Sequence, residues 1–100
     1  MKITRHADKR LRKRVGVNRK AVEKLARKAL TDGYTRQDFS GSLRRYLDAL
    51  YYYNESANNI RVWGEKVWIF HDFTLITVLD LPQRYKNRAN GIAKKDGADD

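Results

Sequence analysis

The chain of 100 residues is long enough for one hydrophobic core, and it contains no cysteine. Disulfide scaffolds, cysteine-ligated zinc sites and thiol catalysis are therefore excluded. No apolar stretch approaches the roughly 20 residues that a membrane-spanning helix needs, and the first fifteen residues lack the apolar stretch of a signal peptide. The composition predicts a soluble, cytoplasmic protein.

Positive charge is concentrated at the start of the chain. Residues 1–28 contain twelve basic and two acidic residues, whereas the other 72 residues contain ten of each sign. A concentrated positive field attracts polyanions, so RNA or another nucleic acid is the expected partner, although a solvated basic surface without a ligand is the alternative. The candidate contacts in this segment are Arg5, Lys9, Arg12, Lys13, Arg19, Lys20, Lys24, Arg27 and Lys28.

Two helices are predicted in this basic segment. The first follows a possible N-cap at Thr4, runs to about Arg14 and ends at Gly16. The second follows the N-cap candidate Asn18 and ends before Gly33, with apolar residues at steps of three and four.

A third helix is predicted from about Ser42 to Tyr52, because Gly41 interrupts the pattern before it. Upstream, Thr35 and Asp38 have the spacing of a capping start, although a capping box prefers Glu or Gln at its end.

The hydrophobic period then changes to two, which predicts three antiparallel strands at Asn59–Trp63, Lys66–Phe70 and Thr74–Leu79. Gly64 and Glu65 suit a two-residue hairpin turn, and the second turn lies near Asp72 and Phe73. Pro82 should stop the last strand, and residues 83–100 contain few apolar side chains. We therefore predict an α+β domain over residues 1–82, with about three helices on one face of a three-stranded meander, followed by a flexible tail at 83–100.

The predicted register assigns each residue of the sheet to one of two faces. Pairing Ile69 with Ile76 and Val67 with Val78 gives a β-branched face for the helices, namely Ile60, Val62, Val67, Ile69, Ile76 and Val78. The other face would combine cations and aromatic rings at Arg61, Trp63, Lys66, Trp68, Phe70, Leu75, Thr77 and Leu79.

Single-stranded nucleic acid is held by such a mixed face, because bases stack on aromatic rings while cations contact phosphates. Trp63 and Trp68 would stack bases, and Arg61 would contact the backbone. The alternative is that the rings pack under the first helix or the tail.

The spacing of His6, Arg10 and Arg14 places them on one face of the first helix. An imidazole beside two guanidinium groups suits RNA cleavage without a metal ion, since the ring transfers the proton while the cations stabilise charge at phosphorus. The alternative is an exposed or structural His6. The acidic residues are scattered along the chain, so neither a metal site nor a cofactor is expected.

Two further residues could take part in such a reaction. His71 lies in the second turn and is a second acid–base candidate, although a histidine in this position is more often a turn residue bonded to its own backbone. Thr77 could donate to a phosphate oxygen or be an ordinary strand residue.

The His-Ala-x-x-Arg-x-x-x-Arg pattern at His6–Arg14, together with the Leu-Ile-Thr-Val sequence at Leu75–Val78, resembles small prophage-encoded proteins of the RelE and BrnT ribonuclease toxin superfamily. The resemblance covers roughly residues 3–82. It implies helices on one face of the sheet and RNA on the other, with Arg61, Lys66, Trp68 and Thr77 on the active face and His6, Arg10 and Arg14 at its edge. Lys66 would then join the arginines on the scissile phosphate.

The resemblance predicts an RNA-binding protein of toxin type, with metal-independent ribonuclease activity as a hypothesis and an acidic antitoxin as a candidate partner. A second hypothesis is that the protein is a non-catalytic phage inhibitor that binds a nucleic-acid-guided host nuclease through the basic helices. A DNA-binding regulator is the third, because the first two helices only loosely resemble a helix–turn–helix. Small basic folds serve several of these functions, so the fold does not decide among them.

Overall fold

Within residues 2–16, 18–53 and 57–98, which the computed structural model describes, the chain forms four strands and four α-helices. In chain order these are β1 (Lys2–Ile3), α1 (Arg5–Val15), α2 (Arg19–Asp32), a 3₁₀ helix (Arg36–Asp38), α3 (Gly41–Tyr53), β2 (Asn59–Trp63), β3 (Lys66–His71), β4 (Thr74–Asp80) and α4 (Gln83–Ala98). The protein is therefore a mixed α+β domain, as predicted. None of the described helices is long and apolar enough to cross a bilayer.

The ends of the first two helices follow the predicted local signals. The Thr4 side chain accepts a hydrogen bond from the Ala7 amide at 3.2 Å, and Asn18 accepts one from Ala21 at 3.0 Å. These contacts satisfy backbone donors that have no partner within the helix. Gly16 ends α1 with a φ of 69°, a conformation that glycine adopts without steric cost.

The sheet has the strand order β1-β4-β3-β2. The meander and the first hairpin are confirmed, since Trp63 pairs with Lys66 and Ile60 with Ile69. The predicted number of strands is wrong, because β1 pairs in parallel with the start of β4. A two-residue strand is too short to show alternation in the sequence.

A β-bulge changes the register of the second hairpin. Ile69 lies opposite Thr77 rather than Ile76, and the ladder shifts between Ile69 and Phe70. Because side chains alternate along a strand, the extra residue moves Thr77 to the opposite face of the sheet from the one predicted. The predicted pairing of Val67 with Val78 is wrong for the same reason, since Val67 lies opposite Leu79.

Helices cover both faces of the sheet, so the prediction of one open face is wrong. Helices α3 and α4 pack on the face of Ile60, Val67 and Ile69. Helices α1 and α2 pack on the face of Trp68 and Phe70, through Ala7, Leu11, Val22, Ala26 and Ala29. Burying the indole of Trp68 and the phenyl ring of Phe70 under these helices is more favourable than leaving both rings exposed to water on an open sheet.

The predicted tail is helix α4, at least as far as residue 98. Tyr85 and Ala89 are buried in the core, and Ile92 packs against it. These residues lie four and three positions apart, which places them on one face of a helix. Few apolar residues are needed when each lies on the buried side, so the low apolar content of residues 83–100 gave a misleading prediction of flexibility.

A polar contact ties the segment after α2 to α3. Arg36 donates to Asp48 at 2.8 Å, and Arg44 donates to the same carboxylate at 3.0 Å. Burial by itself would raise the pKa of Asp48, but the hydrogen bonds from the two guanidinium groups outweigh it, so the pKa is lowered. The 3₁₀ helix itself begins with the capping box of Thr35 and Asp38.

Candidate active site

A half-open cleft of about 380 Å³ brings together three of the predicted catalytic residues. It lies beside β4, between one side of α1 and the C-terminal end of α3. We call it the His6 cleft, and its lining consists of His6, Arg10, Leu50, Tyr53, Ile69, Ile76, Thr77 and Leu79.

The position of α1 beside this cleft is fixed by Thr4. Its amide donates to the Leu75 carbonyl at 2.9 Å, and its hydroxyl donates to the Ile76 carbonyl at 2.7 Å. These two carbonyls belong to consecutive residues at the β-bulge, so the bulge supplies the anchor for the start of α1. The sequence predicts Thr4 as a cap but contains no signal for this second role.

The first turns of α1 then divide their side chains between the core and the cleft. Ala7 and Leu11 are fully buried, whereas His6 is exposed and Arg10 is half-buried. His6 and Arg10 are four residues apart, which places both on the side of α1 that borders the cleft. The prediction that these two side chains share a face is confirmed.

Thr77 forms part of the cleft floor because of the bulge. Its side chain is buried, with 9% of the residue exposed, and its hydroxyl oxygen has no hydrogen-bond partner among the described residues. A buried hydroxyl without a partner is unfavourable, and such groups often mark a site where a ligand or water supplies the missing bond. Thr77 is thus brought to His6 and Arg10 on a face other than the predicted one.

An apolar floor and an exposed ring complete the lining. Ile76, Leu79 and Leu50 are partly buried, and Ile69 is fully buried beneath them. Tyr53, in the last turn of α3, is 88% exposed. Among the described residues, the lining combines an imidazole, a guanidinium, a hydroxyl and an aromatic ring, and it contains no carboxylate.

The nine predicted nucleic-acid contacts of the first two helices are all exposed, and together they form what we call the basic surface: Arg5, Lys9, Arg12, Lys13, Arg19, Lys20, Lys24, Arg27 and Lys28. Asp8 lies 3.2 Å from the Arg12 guanidinium and 3.7 Å from that of Arg19, so part of this charge is neutralised where α1 meets α2. Along α2 a shallow groove is lined by Lys20, Lys24, Arg27 and Lys28, with Glu23 among them.

The sheet residues that were expected to contact RNA do not form an open platform. Trp68 is 2% exposed, and its indole nitrogen donates to the Trp63 carbonyl at 2.9 Å. Trp63 is half-buried against the same core. The Arg61 guanidinium donates to the Gly33 carbonyl at 3.0 Å, where it helps to hold the end of α2. The alternative in which the rings pack under the first helix is therefore the correct one.

The remaining predicted catalytic residues lie outside the His6 cleft or outside the described side chains. Lys66 forms an ion pair with Asp80 at 2.7 Å. His71 is exposed at the second hairpin, where its imidazole lies 3.6 Å from the Asp72 carboxylate. Arg14 belongs to α1, but its side chain is not among those described. Within the described residues, no group of three His, Asp or Glu side chains is placed to hold a metal ion.

Sequence reasoning did not place Tyr53 among the site residues, because a run of tyrosines at a helix end could stack a base but more commonly packs against the core or surface. The three consecutive tyrosines at positions 51–53 are a visible signal, but helical spacing alone does not tell which ring is exposed. The tertiary structure decides this, because it places the last turn of α3 at the cleft that α1 also lines.

No protein-family model, characterised protein or solved structure matches this chain. The assignment of function therefore depends on the chemistry of the His6 cleft and of the basic surface.

Proposed function

We propose that this protein binds RNA through the basic surface and cleaves it, without a metal ion, in the His6 cleft. The observation that carries the proposal is the convergence of His6, Arg10 and Thr77 on one cleft. Between them these residues can accept a proton, stabilise negative charge and donate a hydrogen bond, and each of these roles assists phosphodiester cleavage.

In the proposed reaction His6 accepts the proton of a ribose 2′-hydroxyl. The 2′-oxygen forms a bond to phosphorus while the bond from phosphorus to the 5′-oxygen breaks, and a water molecule protonates the departing oxygen. The products are a 2′,3′-cyclic phosphate and a 5′-hydroxyl end. Arg10 stabilises the negative charge that accumulates on the phosphoryl oxygens in the transition state.

Thr77 and the basic surface have separate tasks in this mechanism. The hydroxyl of Thr77 donates to a phosphoryl oxygen and thereby gains the hydrogen bond that it lacks among the described residues. The exposed cations of α1 and α2 hold the flanking phosphates, which requires no particular base sequence. Since Lys9 and Lys13 flank Arg10 on the same helix, RNA held on the basic surface can reach the cleft.

The test is an assay of single-stranded RNA cleavage in the presence of a chelator, with wild type, His6→Ala and His71→Ala side by side. His71 is a matched control, because it is the other histidine of the chain, is also exposed, and does not line the cleft. Wild type and His71→Ala should cleave, and His6→Ala should lose cleavage while retaining RNA binding.

The products identify the mechanism, since a 2′,3′-cyclic phosphate is expected only when the 2′-oxygen is the nucleophile. RNA in which the 2′-hydroxyl is replaced by hydrogen should bind and remain intact. Binding of RNA without any cleavage by the wild type would refute the catalytic part of the proposal, and absence of RNA binding would refute all of it.

A further inference from the structure

Tyr53 differs from the two tyrosines that precede it. The Arg36 guanidinium lies 4.0 Å from the centre of the Tyr51 ring. The Tyr51 and Tyr52 rings contact each other edge to face, with 5.6 Å between their centres. Tyr53 makes no ring contact of this kind within the described part of the chain, and it is 88% exposed at the rim of the His6 cleft. Tyr52 and Phe73 are also exposed, but neither lines this cleft, so Tyr53 is the exposed ring that is placed to contact a ligand there.

From these observations we propose that Tyr53 stacks one unpaired base of the bound RNA, so that the cleft selects single-stranded over double-stranded RNA. This inference rests on the proposed function and names its substrate class. The base would lie on the Tyr53 ring and over the partly exposed side chains of Leu50, Ile76 and Leu79, while the adjoining phosphate lies at Arg10.

The preference for a single strand follows from the geometry of stacking. A base within a duplex has both faces covered by its neighbours, whereas an unpaired base offers a face to an aromatic side chain. The cleft, at about 380 Å³, falls in the size range of small-ligand sites, roughly 300–1,000 Å³. A cleft of this volume suits one nucleotide rather than a double helix.

The lining also separates the two parts of a nucleotide. The apolar floor between His6 and Tyr53 offers no charge to a base, whereas the α1 side of the cleft supplies the guanidinium for a phosphate. Stacking on one aromatic ring is tolerant of base identity, so the cleft should have little preference among the four bases.

The experiment measures binding by fluorescence anisotropy. The two probes are a 12-nucleotide oligouridine and a duplex of the same length. Both probes carry 2′-deoxy substitutions, so that they cannot be cleaved. Variants are Tyr53→Ala, Tyr53→Phe and the matched control Tyr52→Ala, which removes the neighbouring exposed ring. Tyr53→Ala should weaken single-strand binding by about 5- to 150-fold, the effect of losing one stacked base. Tyr53→Phe, which retains the stacking surface, and Tyr52→Ala should bind as the wild type does.

Wild type should also bind the single strand at least about tenfold more tightly than the duplex. This factor lies in the lower part of the range expected for the stacking of one base. Equal binding of both probes, or an unchanged affinity of Tyr53→Ala, would overturn the inference. The two proposals fail in different ways: Tyr53-dependent binding with no cleavage of all-ribose RNA refutes catalysis alone, whereas cleavage with no dependence on Tyr53 refutes stacking alone.

Discussion

Replacing Thr77 by Val should make the unliganded protein more stable. The two side chains have nearly the same shape and both are β-branched, so the substitution keeps the χ1 preference and the strand propensity. What it removes is a hydroxyl that is buried on the floor of the His6 cleft without a hydrogen-bond partner among the described residues. The substitution therefore isolates the cost of that single polar group.

The magnitude follows from the cost of burying a polar group. Leaving a buried hydroxyl without a partner costs about 1–3 kcal/mol, and the variant should recover this free energy of unfolding. For a domain of this size each kcal/mol corresponds to a change of about 4–8 °C in Tm, so a rise of at least about 4 °C is expected. A stabilising substitution of this size inside a β-sheet is uncommon, since most substitutions in a core are destabilising.

Urea unfolding of wild type, Thr77→Val and the control Thr74→Val measures the effect. Thr74 lies on the same strand but is only half-buried, so its replacement should change the free energy of unfolding by less than about 0.5 kcal/mol. The stabilised Thr77→Val variant should also bind RNA more weakly, because the cleft has lost its hydroxyl donor. A variant less stable than wild type would show that Thr77 has a bonding partner, and the argument for a ligand at this position would fail.

Three other substitutions test the remaining features. Trp68→Ala should lower the free energy of unfolding by about 3–5 kcal/mol in urea denaturation, because the indole ring is buried in the core. A variant that loses RNA binding but keeps its stability would contradict this core role. Asp48→Asn should lower Tm at pH 7, because the ionised carboxyl of Asp48 accepts hydrogen bonds from two guanidinium groups and its pKa is lowered. The deficit should begin to shrink as the pH falls below about 4, the ordinary pKa of an Asp carboxyl, and should vanish once the pH lies below the lowered pKa of Asp48. A deficit that does not shrink as the pH is lowered would exclude the charge as its cause. Lys24→Ala should reduce the slope of log affinity against log salt by about 0.7, while Lys86→Ala on α4 leaves it unchanged.

Elements governed by neighbouring residues could be predicted from the sequence. The caps at Thr4 and Asn18, the end of α1 at Gly16 and the hairpin at Gly64 depend on side chains within a few positions of each other. The three strands of the meander are visible because alternation with β-branched residues is a local pattern. The shared side of His6 and Arg10 follows from helical periodicity alone.

Contacts between distant segments produced the errors. The bulge near Ile76 depends on how β4 fits against both β3 and Thr4, and its single extra residue changes the face on which Thr77 lies. The residues of the Trp68 face looked suited to RNA because cations and aromatic rings alternate there. The same rings also pack well against Ala7 and Leu11 of α1. The sequence alone does not show whether such rings are buried by a helix or exposed to stack RNA bases.

The sequence by itself determined the first three helices, the three strands of the meander, the placement of the excess charge in residues 1–28 and the alignment of His6 with Arg10, because each depends on spacing along the chain. The tertiary structure alone decided that helices cover both faces of the sheet and that Thr77 and Tyr53 meet α1 at one cleft. Those relations depend on which buried surfaces fit together, and that fit joins residues more than 70 positions apart, as in the bond from Thr4 to Ile76.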